Sequence, residues 1–482
     1  MASITSTGIG SGLDVESIVT QLMALESRPL NLLQQAKSTL DTRLSAIGTL
    51  QSRMSALRDS ANALTSLTLW NQTTATSSNP AALRVSTSTG AAAGSYAVQV
   101  SRLASTQTLA STAFSGPTAS IGEGSLTIEL GTWTGEPTPT GFTAKGGSSP
   151  VTITIGPGET SLAAIRDKIN AAGAGVTASL VTDASGARLS LRSTETGAEN
   201  GFRITASETS DDGNPATGLS AFAYSATTAS PMTRSQSASN AEATINGIAV
   251  SSARNTLEGV LDGLTLTLSQ TTTTPVDVTV APDTAAIQKS IENFVSAFND
   301  VANYIRDQTR YNPDTKVGGT LQGDRLVGTL QSQLRAIVNE GSTASGTFSR
   351  LTDIGISFTT TGTLSINSGR LGNALGNLPE LRKLLAADGA DSASSGFIDR
   401  FKDFASSILG AEGAFEGRTN SLRGQISLNQ KSQDSMERRL EQTEARLRRQ
   451  YQALDTAMSS LGGTADYLSQ QLTLIANTSS KR

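Results

Sequence analysis

Two stretches at opposite ends of the chain carry apolar residues every seven positions with no proline between them. Toward the C-terminus Leu440, Leu447, Leu454 and Leu461 repeat at that spacing, with Met436, Tyr451 and Met458 at intermediate positions. Glu437, Arg438, Arg439, Glu441, Glu444, Arg446, Arg448 and Arg449 occupy the other faces. Toward the N-terminus Leu33, Leu40, Ile47 and Met54 repeat in the same way, beside Leu44, Leu50, Leu57 and Leu64. A seven-residue apolar repeat is a helix seam. A helix over 421–474 would be roughly 80 Å long at about 1.5 Å per residue, so it needs a partner helix of similar length. The two chain ends are therefore predicted to pair through Leu40, Ile47, Met54, Leu440, Leu447, Leu454 and Leu461. Residues from about 75 to 285 then form an excursion carried by a helical rod.

Along the chain, Asp14 is the expected cap of a short helix bearing Ile18, Val19, Leu22 and Leu25, and Pro29 suits the first turn of a second helix. After Trp70 the helical period stops. Alternating runs at Tyr96–Leu103, Leu126–Leu130, Val151–Ile155 and Thr265–Gln270 read as strands, and Ser161–Asn170 as a capped helix followed by three strands. The Gly-, Pro- and Thr-rich stretch 131–150 reads as an exposed loop. Asp211, Asp212, Gly213 and Asn214 read as a turn, because a calcium loop needs a closing glutamate at the right spacing. From Asp283 the helical period returns, with Ile287, Ile291, Phe294, Phe298, Val301 and Ile305 as one stripe. Helices are expected at Leu326–Val338, Leu371–Leu385 and Phe397–Leu409, and a hairpin at Ile354–Ile366 turning at Thr359–Gly362. Gly462 and Gly463 are expected to interrupt and bend the C-terminal helix.

These elements define an α+β multidomain fold: paired long terminal helices and a helical domain that carries inserted β-rich domains. The expected division is 1–45 with 446–482 as paired legs, 46–75 with 285–445 as the helical domain, 76–112 with 237–284 as a β-rich domain, and 113–236 as an outer α+β insertion.

Composition narrows the chemistry. The 482 residues hold no histidine and no cysteine, and only 4% are aromatic. That removes the commonest general base, the commonest metal ligands and every thiol nucleophile. No GxSxG, Ser-x-x-Lys or HExxH motif is present. A pair of carboxylates is the one remaining route to catalysis, without the aromatics that usually line such a cleft. No cofactor or metal is expected. A glycine-rich phosphate loop at Gly8, Gly10 and Gly12 lacks the preceding strand and the following Lys-Ser or Lys-Thr. The net charge is −4 with both signs mixed along the terminal helices, so no nucleic-acid footprint stands out. The first basic residue is Arg28, so no cleavable signal peptide is expected, and no run reaches the roughly 18 apolar residues of a membrane span. A soluble protein, or one exported by another route, is the expectation.

Nearly end to end, the sequence resembles the flagellar filament capping proteins, the hook-associated protein 2 family. The stretches that carry the resemblance are Gly8–Leu30, Asp167–Gly197, Asn246–Leu268, Gly319–Val338 with its GTLQGD start, and Arg448–Leu472. The unit at Asp167–Gly197 occurs in several axial proteins; the terminal blocks and GTLQGD are specific. The resemblance implies an extracellular cap at the distal tip of the bacterial flagellum, with no catalysis. It implies a ring of copies, a pentamer or a ring of similar size, exported unfolded with the help of a dedicated export chaperone. Flagellin and the hook-filament junction proteins are the implied partners. Another axial protein, a junction protein or a flagellin, and a tip adhesin are the alternatives. Flagellin or filament contacts are expected on apolar residues left over after helix pairing: Ile4, Ile9, Leu13, Ile18, Leu22, Leu468, Leu472 and Ile475. Residues 1 to about 30 and those after Gly463 are expected to be loose until such a partner orders them. Ordering the first fourteen residues costs about 14 kcal/mol or more, and their four large apolar side chains return at most roughly 6 to 12 kcal/mol.

Overall fold

The Asp14 carboxylate accepts a hydrogen bond from the Ser17 amide at 3.0 Å and starts helix α1, Val15–Glu26. The chain turns at Ser27 and continues as α2, Arg28–Thr65, with Pro29 in the first turn, where its missing N–H is no loss. A single turn, α3, follows at Leu67–Trp70. The structure, a computed structural model, describes residues 14–135, 138–226 and 230–479. Its contacts separate two units: Met1–Leu69 with Thr284–Arg482, and Trp70–Asp283.

The unit Trp70–Asp283 holds two cores. One lies between a five-stranded antiparallel sheet, in the order Thr73–Ser77, Val276–Pro282, Gly94–Arg102, Ala241–Ile245, Ile248–Ser252, and a three-stranded sheet of Thr256–Leu261, Leu264–Leu268 and Leu83–Thr87. Alternation turns Val98, Val100, Leu264, Leu266, Val276 and Val278 inward. The second core is built on α4, Leu162–Ala171, whose cap Ser161 accepts from the Ala164 amide at 3.2 Å. Ile165 and Ile169 of α4 pack with Leu126, Ile128, Ile153, Leu189, Leu191 and Phe202 from two four-stranded sheets.

The stretch expected as an exposed loop is instead partly a hairpin. Gly124–Thr134 runs on through Trp133 and pairs with Gly141–Ala144. Trp133 is buried, lies 4.7 Å from the Phe142 ring and 5.2 Å from the Tyr224 ring, and donates its indole N–H to Gln107 at 2.8 Å. One large ring with a satisfied polar atom outweighs the turn-forming composition around it. At the predicted turn, Asp211 and Asp212 accept from the amides of Gly213 and Asn214, and Gly213 takes φ +71.

Helix α5, Thr284–Thr309, buries Ile287, Ile291, Phe294, Phe298, Val301 and Ile305, the stripe read from the sequence. Helix α6, Arg325–Asn339, begins at Asp324. The hairpin of Ile356–Phe358 with Leu364–Ile366 turns where the Gly362 amide donates to the Thr359 carbonyl, with φ +81 at Gly362. The single helix expected over Leu371–Leu385 is two, α7 (Ser368–Leu375) and α8 (Leu378–Ala386). Pro379 has no N–H for an interior turn but fits the first turn of α8, so the break falls just before it. Helix α9, Phe397–Leu409, sets Phe401 5.2 Å from Phe294 and 5.9 Å from Phe298. Around these rings α2 buries Ile47, Leu50, Met54, Leu57, Ala61 and Leu64 at alternating steps of three and four.

Helix α10, Ala414–Ser479, passes through Gly462 and Gly463 without interruption, contrary to expectation. Each glycine costs about 1 kcal/mol of propensity, too little to stop a helix whose hydrogen bonds continue on both sides. Within the N-terminal arm, helix α1 is formed, with Val15 and Val19 buried. Residues 1–13 lie outside the described part.

Candidate interaction surface

Helices α1 and α2 run antiparallel to α10. The Gln433 side chain donates to the Leu33 carbonyl at 3.4 Å, and Arg448 meets Glu16 at 2.6 and 2.9 Å. With Leu33 level with Gln433 and Glu16 level with Arg448, Leu440 falls opposite the elbow at Ser27 and Leu447 opposite α1. Leu40, Leu440 and Leu447 are half-buried, while Ile47 and Met54 are fully buried in the helical core. Leu454 and Leu461, predicted on the same seam, remain 45% and 62% exposed.

Beyond Leu447 the apolar positions step by four and three through Tyr451, Leu454, Met458, Leu461, Ala465, Leu468 and Leu472. Leu468 and Leu472 stand more than half exposed, together with Tyr467 and Leu474. A strict two-in-seven stripe is narrower than the face a helix presents to a globular core, and it is the pattern of a seam that receives another helix. Of the other predicted contact residues, Ile18 and Leu22 are half-buried on α1. Ile4, Ile9 and Leu13 lie outside the described residues, as does the side chain of Ile475.

Comparison with known proteins settles the family. Models of the flagellar hook-associated protein 2 N-terminus and C-terminus match residues 11–107 and 238–462, and the flagellin hook IN motif matches 142–195. The chain is 31% identical to flagellar hook-associated protein 2 of Escherichia coli strain K12, over 98% of both chains. It is also 31% identical to the B-type flagellar hook-associated protein 2 of Pseudomonas aeruginosa, over 94% of both. The crystal structure of the D1-D2-D3 domains of the flagellar cap protein FliD from Escherichia coli superposes with a TM-score of 0.56 at 30% identity, covering 78% of this chain and 99% of that one. The chain belongs to the flagellar hook-associated protein 2 family.

In this family member the N-terminal helix is tied to α10 by charge as well as by apolar contact. Arg448 donates to both Glu16 oxygens and to Glu444 at 3.0 Å. The Arg448 hydrogen bonds hold the Glu16 carboxyl below its usual range, and Glu16 and Glu444 raise the Arg448 pKa. The i,i+4 pair Glu444 and Arg448 was visible in the sequence, but its link to Glu16 was not. A second ion pair that sequence reasoning missed joins Asp324, the last residue of GTLQGD, to Arg418 on α10 at 2.7 Å.

The protein belongs to a structural, non-enzymatic family, and one groove among the described residues fits that assignment. This groove, about 780 Å3 in the outer β-rich part, has Glu123, Glu208 and Asp212 among its lining residues. Glu208 accepts from the Ser220 amide, and Asp212 from the Asn214 amide and the Thr217 hydroxyl, so two of the three carboxylates brace their own loop. No helix among the described residues is long and apolar enough to cross a membrane.

Proposed function

We propose that this protein caps the distal end of the flagellar filament outside the cell, retaining exported flagellin and promoting its ordered addition. The observation that carries the reading is the full-length match to flagellar hook-associated protein 2, joined to a structural match with a solved flagellar cap protein. Several copies form the cap as a closed ring, a pentamer or a ring of similar size. Flagellin and the junction proteins are its filament partners, and a dedicated chaperone accompanies its export. The working division is 1–45 with 446–482 as legs, 46–75 with 285–445 as helical domain, 76–112 with 237–284 as inner β domain and 113–236 as outer domain. Two separate apolar cores, one drawn from residues 83–104 and 241–280 and one from 109–232, support an inner and an outer β domain, with Leu109 of the range 76–112 packing in the outer core.

The exposed stripe of α10, with Leu468, Leu472 and Ile475, is the surface assigned to the filament, and Ile4, Ile9, Leu13, Ile18 and Leu22 of the N-terminal segment are the other contact residues of this reading. Leu454 and Leu461 extend the stripe toward the paired part of the rod. Replacing Leu461, Leu468 and Leu472 together by alanine should release flagellin monomer into the medium while the purified chain keeps its thermal stability, because exposed side chains contribute little to folding. A deletion strain that grows full-length filaments with no excess flagellin in the supernatant would exclude capping. Sedimentation at micromolar concentration showing only monomer across a range of salt would exclude the ring.

A further inference from the structure

Several strand edges in this chain are closed by side-chain carboxamides. Asn170 donates to the Ala178 carbonyl at 2.9 Å and accepts from the Ala178 amide at 2.7 Å, on the edge strand Val176–Asp183. Gln107 does the same for Phe202 on the edge strand Gly201–Glu208, at 2.7 and 3.0 Å, and Asn299 for Leu364 of the small hairpin, at 2.9 and 2.6 Å. Each carboxamide stands where a neighbouring strand would pair, which keeps a further strand from adding there.

The five- and three-stranded sheets around the first core leave one margin without such closure. On one side they meet where the Thr87 hydroxyl donates to the Thr73 carbonyl at 2.6 Å. On the other side Ile248–Ser252 and Thr256–Leu261 are the edge strands, and no backbone hydrogen bond joins them among the described residues. In an antiparallel ladder only alternate residues bond to a given neighbour. The turn pairing Ile245 with Ile248 leaves Ala249 and Ser251 facing away from Ala241–Ile245, and the bond from the Leu268 amide to the Asn255 carbonyl leaves Thr256 and Glu258 facing away from Leu264–Leu268. No side chain among the described residues bonds to these four outward backbone positions.

We propose that this margin is a strand receptor for an extended segment of a polypeptide that has not yet folded. A strand seated between two edges spends the backbone groups of both its own sides. Every strand among the described residues already pairs on at least one side, so a folded copy of this chain supplies none, whereas an unfolded segment does. Ile248 and Val260, 71% and 37% exposed, offer apolar contact to alternate side chains of that segment. Glu258 and Asp262, exposed and without an ion pair among the described residues, favour lysine or arginine between them. In the cap reading, on which only this identification rests, the segment belongs to flagellin arriving at the filament end.

Fluorescence anisotropy on the full chain tests it, with a labelled short peptide in which valine alternates with lysine. The peptide should bind at micromolar concentration, and its version with proline at alternate positions, which lacks those backbone donors, should not. Ala249→Pro removes one outward donor at an edge, where proline is tolerated, and should weaken binding about tenfold. Glu258→Lys should weaken the lysine peptide and strengthen its glutamate counterpart. In amide hydrogen exchange the bound peptide should slow both 248–252 and 256–261. Absence of binding, equal binding of the proline peptide, or slowing confined to one of the two strands would overturn the proposal. Self-association abolished by Ala249→Pro, with no peptide bound, would give the edge to a second copy and overturn it as well. The assay needs no flagellum, so loss of capping in cells and loss of peptide binding are told apart.

Discussion

Asp324 performs two tasks in the helical unit, and separating them measures what GTLQGD contributes to the fold. Its side chain accepts from the Leu326 amide at 3.0 Å, starting α6, and from Arg418 at 2.9 and 2.7 Å, tying α6 to α10. The Asp324 side chain is 4% exposed and that of Arg418 27%. Asp324→Ala removes a cap, about 1 kcal/mol, and a charge-assisted hydrogen-bonded pair, about 1.5–3 kcal/mol. Arg418 reaches enough water to be rehydrated, which keeps the loss below the about 3–5 kcal/mol of breaking a fully buried pair. The sum is about 2.5–4 kcal/mol. Asparagine caps as well as aspartate, so Asp324→Asn should lose only the charge share.

The two units can be followed by different probes in urea. Far-UV circular dichroism reports mainly the helices, whereas both tryptophans, Trp70 and Trp133, fall in Trp70–Asp283. A chain of two units need not unfold in one step. With a urea slope of about 1–3 kcal/mol per molar, Asp324→Ala should lower the circular dichroism midpoint by about 1 M or more, while the fluorescence midpoint stays in place. An unchanged dichroism midpoint would refute the pair's contribution. An Asp324→Asn midpoint as low as that of Asp324→Ala would refute the share given to the cap.

Gln107 is fully buried and serves the Trp133 indole, the Phe202 amide and the Phe202 carbonyl at 2.8, 3.0 and 2.7 Å. Gln107→Leu strands all three at about 1–3 kcal/mol each, so the tryptophan fluorescence midpoint should drop by at least about 1 M urea, and a midpoint equal to that of the unaltered chain would count against this network. Lys383, the Ser345 hydroxyl and the Gly346 amide hold the Glu380 carboxyl at about 2 instead of its ordinary 4.5. Its contribution is therefore complete above pH 4.5 and lost as pH falls toward 2. The loop around Ser345 should lose exchange protection over that window, and a Glu380→Gln chain showing the same acid profile would disprove the assignment.

The amino-acid sequence alone determined the elements whose information is local. Heptad spacing marked α2 and α10, the stripe from Ile287 to Ile305 marked α5, and Asp14, Ser161 and Pro29 marked helix starts, because each signal repeats within one turn or a few. Family membership was legible for a similar reason, carried by contiguous blocks. Tertiary structure alone decided which local tendencies were overruled and which distant residues meet. Trp133 turned a Gly- and Thr-rich stretch into a hairpin by packing on Phe142 and Tyr224. The α10 helix gave α1 the surface that its own sequence lacks, and Asp324 found Arg418 across 94 positions. Periodicity records which face of an element is apolar. What lies against that face is a property of the folded chain, since a contact energy depends on two positions whose separation along the sequence no local pattern encodes.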